Sequence, residues 1–70
     1  MSDKVTRQVA DNLRQLRLQK GLTQVELAKK AGINDNYYAR LERAELSPTL
    51  EKFEKVVKTL QVKSSKILPF

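Results

Sequence analysis

Apolar residues recur every three or four positions along most of the chain and nowhere alternate cleanly, a helical period with no strand signal. Val5, Val9, Leu13 and Leu16 mark a first helix from about Lys4 to Lys20, with Gly21 as its C-terminal stop. Thr23-Gln24-Val25-Glu26 has the spacing of a capping box, in which hydroxyl and carboxylate each satisfy an orphan amide at a helix start. Leu27, Ala28 and Ala31 form the buried stripe of that second helix, closed by Gly32. Asn34 is a natural N-cap for a third helix running to about Arg43, with Tyr38 and Leu41 facing inward. Ser47-Pro48-Thr49 opens a fourth, whose apolar face is Leu50, Phe53, Val56, Val57 and Leu60. Ser64 caps a fifth element carrying Ile67 and Leu68 before Pro69 ends it. The expected fold is all-α: a compact domain of five helices spanning residues 1–70.

Composition narrows this further. With 70 residues and neither Cys nor His, the chain has no disulfide and no ordinary zinc site to supplement a small core. Efficient helix packing, dimerisation or both must hold it together. No metal or cofactor is implied, and no small-molecule ligand is evident. No apolar run approaches the roughly 18 residues of a membrane span, and the polar start is unlike a signal peptide. The expectation is a cytoplasmic protein with no membrane partner. Fourteen basic against eight acidic residues give a net charge of +6, which points to a polyanionic partner unless the lysines merely solvate the surface.

Helices two and three are joined only by Gly32 and Ile33, so the turn is sharp, and glycine permits the positive φ it needs. Such a pair, over about residues 23–43, is a helix-turn-helix arrangement. Leu22-Thr23-Gln24-Val25-Glu26-Leu27-Ala28, then Ala31-Gly32-Ile33, then Leu41-Glu42-Arg43, resembles the phage repressor/Cro type of helix-turn-helix transcriptional regulator. Leu16-Arg17 upstream, and Pro48, Leu60 and Val62 downstream, continue the pattern over roughly Val9 to Leu68.

The resemblance implies a third helix that enters the major groove of double-stranded DNA. Asp35, Asn36, Ala39, Arg40 and Arg43 fall on the face opposite Leu41. Asn36 and Arg40 are candidate base readers, since Asn pairs bidentately with adenine and Arg with guanine. Asp35 joins them if it accepts from a cytosine amine; otherwise it is ordinary solvated surface. Gln24 matches a family position that holds a phosphate near a helix N-terminus; the alternative is an exposed helix-favouring residue. Arg43, and Tyr37 at the edge of the same face, are candidate backbone contacts; Lys29 and Lys30 could also meet phosphates or simply be solvated. Arg17 and Glu42 each interrupt an apolar stripe, and a buried charge is costly without its opposite. They match the family's Arg and Glu that bridge helix one to helix three; the alternative is two rim residues whose heads reach water. Ile67, Leu68 and Phe70, in a C-terminal segment of about residues 62–70, are candidate anchors of a homodimer reading a palindrome; the alternative is that they close the monomer core.

Three departures stand out. Ala44 occupies a place where the family often has Gly, Asp35 puts an acid near phosphates, and Phe53 replaces a common Leu. The chain ends soon after the fifth element, so no second, signal-sensing domain is expected. A restriction-modification controller, a phage or plasmid repressor and an antitoxin-type regulator all remain open on this pattern. A protein-interaction or RNA-binding module is the alternative of a different class, although no aromatic stacking platform is visible. No pairing of residues points to an enzyme.

Overall fold

Backbone chemistry at the helix ends sets the architecture. The computed structural model describes residues 3–70, which form α1 (Asp3–Gln19), α2 (Gln24–Ala31), α3 (Asp35–Glu42), α4 (Leu50–Leu60) and a 3₁₀ turn at Ser64–Lys66. After each of the first three helices the chain reverses through a residue of positive φ: Gly21 at +72°, Gly32 at +72° and Ala44 at +58°. The following residue donates its N–H five positions back, Leu22 to Arg17 (3.2 Å), Ile33 to Ala28 (3.0 Å) and Glu45 to Arg40 (3.0 Å). These are Schellman closures, which satisfy carbonyls that a helix end would otherwise orphan. Two of them seat an apolar side chain, Leu22 or Ile33, against the core. The third presents Glu45 to solvent.

The starts are equally specific. Thr23 and Glu26 exchange the two bonds of a capping box, at 3.1 and 2.9 Å. The Asn34 side chain accepts from the Tyr37 N–H (3.0 Å) and the Thr49 hydroxyl from the Lys52 N–H (3.2 Å). Pro48 therefore lies just outside α4, not in its first turn.

Leu13, Leu27, Tyr38, Val56, Leu60 and Ile67 are all but completely enclosed and form the centre of one core. Within it α2 packs on α3 and α4, and α1 packs on α3. Core formation at these positions removes the apolar stripes from water, the main favourable term in a domain this small.

Three expectations need correction. The fifth helix is absent among the described residues: Ser64–Lys66 makes one 3₁₀ turn. Pro69 carries no N–H and disfavours helical backbone at the residue before it, so the segment cannot propagate. Ile67, expected at a dimer interface, is fully buried within the single chain. Its carbonyl accepts from Asn12 Nδ2 (2.8 Å), which ties the C-terminal segment to α1. Leu50, expected on the buried face of α4, is 88% exposed, because as the first residue of that helix it stands a turn beyond the core's edge.

Candidate nucleic-acid interface

The short connection Gly32-Ile33-Asn34 sets α3 directly against α2. On α3, Asp35, Asn36 and Arg40 are exposed and Ala39 is half-buried; Arg43, just past its end, is exposed too. With Tyr38 and Leu41 buried on the opposite side, the helix presents a polar, largely short-stemmed face to solvent.

Behind that face lies a buried polar cluster. Arg17 on α1 donates from Nε to Glu42 Oε2 at 2.6 Å and from Nη2 to Glu42 Oε1 at 2.9 Å, with side chains 9% and 3% exposed. The remaining guanidinium nitrogen, Nη1, donates to the Leu22 carbonyl (2.8 Å). Gln24 Nε2 donates to Glu42 Oε1 (3.0 Å). One carboxylate thus collects donors from α1 and α2 at the end of α3. Burial alone would push the Glu42 carboxyl up, but the hydrogen bonds from Arg17 and from Gln24 hold it below its ordinary value. Arg17 is pushed up, chiefly by its hydrogen bond to Glu42. Tyr38, enclosed beside the pair, has its ionisation pushed up by burial first and by the Glu42 carboxylate second.

Gln24 therefore does not stand free at the start of α2. It is half-buried, and one amide N–H is already committed to Glu42. Tyr37 departs further from its expected sugar-phosphate role. Its ring packs at the margin of the core, and its hydroxyl is enclosed with no hydrogen-bond partner among the described residues. A cation from another helix lies over that ring: Lys52 Nζ is 5.0 Å from the Tyr37 ring centroid, a cation–π distance. No local pattern signals this, because Lys52 and Tyr37 lie on different helices, fifteen residues apart, and meet only in the folded chain.

Glu45 was also missed. It accepts from Arg43 Nε (2.7 Å) and Nη2 (3.4 Å), and from Arg40 Nε (3.3 Å). A separation of five residues is not a helical side-chain pairing; the reversal through Ala44 brings Glu45 back over the helix end. The hydrogen bond from Arg43, ahead of that from Arg40, holds the Glu45 carboxyl below its ordinary range. Arg43 is pushed up by the same contact.

At the C-terminal side, Phe70 is 87% exposed and Leu68 half-buried. Phe70, Leu68, Leu50, Phe53, Leu46 and Val5 surround an open apolar hollow of about 400 Å³. Among the described residues no helix is long and apolar enough to cross a membrane, and no group of side chains could hold a metal ion.

A family model described as helix-turn-helix matches residues 13–67. The chain is 35% identical over 60 residues to the immunity repressor protein of Bacillus phage phi105. That match covers 86% of this chain but 42% of the phage protein, so the chain spans less than half of that relative. The restriction-modification controller protein C.Esp1396I superposes with a TM-score of 0.81 at 30% identity, covering 87% of this chain and 79% of the other. A point mutant of the same controller superposes equally well at 28% identity.

Proposed function

The chain belongs to the helix-turn-helix family, and from that premise we propose that it is a sequence-specific regulator of transcription that binds a palindromic operator in double-stranded DNA as a homodimer. The observation that carries this reading is the exposed face of α3, with Asp35, Asn36 and Arg40 along it and Arg43 at its end, set on a helix pair locked from behind by Arg17 and Glu42. A polar helix face with buried anchors is the form that major-groove reading requires, because base discrimination needs side chains held within hydrogen-bond tolerance. Asn36 and Arg40 read bases, with Asp35 beside them. Arg43 and the remaining Gln24 amide N–H meet phosphates, and Lys52, over the Tyr37 ring, supplies a further backbone contact. The net charge of +6 supplies the sequence-independent part of the affinity.

One domain of this size reads few base pairs, so two-fold pairing is part of the proposal. With Ile67 spent on the core, the surface for a second copy is Phe70 and Leu68, joined by Leu50 around the apolar hollow. A patch carrying both projecting apolar side chains and a hollow is suited to an isologous contact, in which each copy fills the other. The likeness to C.Esp1396I over 79% of that chain favours a restriction-modification controller among the possible regulators. Mobility shift of random duplex DNA against single-stranded RNA tests the class, and selection from a random duplex library then yields the operator. Preference for the RNA would overturn the proposal.

A further inference from the structure

Arg40 and Glu45 are joined twice. The Glu45 N–H donates to the Arg40 carbonyl at 3.0 Å, and Arg40 Nε donates back to Glu45 Oε1 at 3.3 Å. The backbone link belongs to the Schellman closure through Ala44, so the Glu45 Cα is fixed relative to the helix that carries Arg40. The side-chain link uses Nε alone. Among the described residues no hydrogen bond engages Arg40 Nη1 or Nη2, the pair of parallel donors that can match the O6 and N7 acceptors of guanine. Arg43 is held differently, through Nε at 2.7 Å and Nη2 at 3.4 Å on one edge. One carboxylate thus treats two neighbouring arginines unequally: it covers an edge of Arg43 and leaves the terminal edge of Arg40 open.

Resting on the DNA-binding reading above, we infer that Glu45 is a positioning residue for base recognition, fixing the Arg40 guanidinium with its terminal donors free for guanine. An arginine side chain has large rotamer entropy, and the part already lost in the free protein is not lost again on binding. The carboxylate does this at a cost, since its negative charge opposes nearby phosphates. Two effects of opposite sign follow. Removing Glu45 weakens discrimination at the base that Arg40 reads and strengthens binding to random duplex.

This pairing separates positioning from a merely structural role. The three side chains are 44–54% exposed, and such surface ion pairs contribute little to folding. Glu45→Ala keeps the backbone closure and stays folded by circular dichroism. Site selection and anisotropy titration of wild type, Glu45→Ala, Glu45→Gln, Arg40→Ala and the Arg40→Ala/Glu45→Ala double variant form the experiment. Glu45→Ala should lose about five-fold in discrimination at the Arg40 base pair, a part of what a full bidentate contact confers, while its affinity for random duplex rises. Glu45→Gln, which keeps an oxygen acceptor, should retain most of the discrimination. In the Arg40→Ala background, Glu45→Ala should not change base preference further. Unchanged discrimination in Glu45→Ala, an equal loss in Glu45→Gln, or a further loss in the double variant would each overturn the inference. Unchanged base preference in Arg40→Ala would also overturn it, and leaves the DNA reading standing. A wild type that selects no duplex sequence removes both.

Discussion

Arg17 and Glu42 meet in a two-point ion pair, 2.6 and 2.9 Å long, that fastens the first helix to the end of the third. The two residues are far apart in sequence, and the Leu22 carbonyl and Gln24 amide complete their hydrogen bonding from the start of the helix-turn-helix. Every element that sets the position of α3 contributes to this cluster. A buried pair of this kind is weak evidence of net stability, but its two-point geometry fixes orientation as a single apolar contact would not.

Arg17→Ala should destabilise the fold by about 3 kcal/mol, because it leaves the Glu42 carboxylate buried without its main partner. Replacing both residues with apolar ones of similar volume should cost less. Urea unfolding of both single variants and the double variant measures the coupling. Additive losses would mean that the pair acts as two independent residues.

The same pair sets a pH dependence whose sign reverses on mutation. In the wild type the Glu42 carboxyl lies below its ordinary 4.5. Its contribution is then complete above that value and is lost as pH falls through the folded-state value. In Arg17→Ala, burial acts without its chief opponent and raises the carboxyl above its unfolded value. The variant's deficit should therefore shrink as pH falls from about 7 towards about 4.5, where protonation relieves the buried charge. A wild-type-to-variant gap constant over that range would show that Glu42 does not change protonation there.

Much of this was legible in the sequence because it depends on local chemistry. Thr23 with Glu26, Asn34 and Gly32 mark the helix-turn-helix by capping rules alone, and the stripe of Leu27, Ala28 and Ala31 has one reading. The failures share a different cause. Ile67 and Phe70 look alike as apolar residues near a terminus, and only the third dimension buries one and exposes the other. The Tyr37 hydroxyl is enclosed, Lys52 reaches its ring from another helix, and Glu45 returns to Arg40 and Arg43 through a chain reversal, none of which periodicity encodes.

Ala44 holds a left-handed backbone, φ +58°, with no glycine to ease it. For a residue with a Cβ this conformation costs about 1–2 kcal/mol, partly offset by the greater unfolded-state freedom of glycine. Ala44→Gly should stabilise the protein by about 1 kcal/mol, raising the urea midpoint with an unchanged slope. Destabilisation would mean that the alanine methyl makes a contact worth more than the strain.

Dimerisation should depend on exposed side chains and not on Ile67. Phe70→Glu and Leu50→Glu alter residues 87% and 88% exposed, so both variants should fold as monomers. Sedimentation at increasing concentration should show wild-type association and little in either variant. Wild-type association that survives both substitutions would place the contact elsewhere.

Lys52 and Tyr37 give opposite expectations for the backbone contact. If each protomer neutralises three or four phosphates, the dimer's log–log salt slope should be roughly −5 to −7. Lys52 Nζ stands over the Tyr37 ring on the first turn of α3, so Lys52→Ala should flatten that slope by about two units per dimer, one per protomer. It should leave base preference intact, since a phosphate contact carries no sequence information. The Tyr37 hydroxyl is enclosed and unpartnered; a hydroxyl desolvated in that way gains nothing from burial. Tyr37→Phe should therefore leave the salt slope unchanged and stability equal or slightly higher. Anisotropy titrations across a salt series on both variants decide between the two residues. A flattened slope in Tyr37→Phe with an unchanged one in Lys52→Ala would return the contact to the tyrosine, and would require its enclosed hydroxyl to be uncovered when DNA binds.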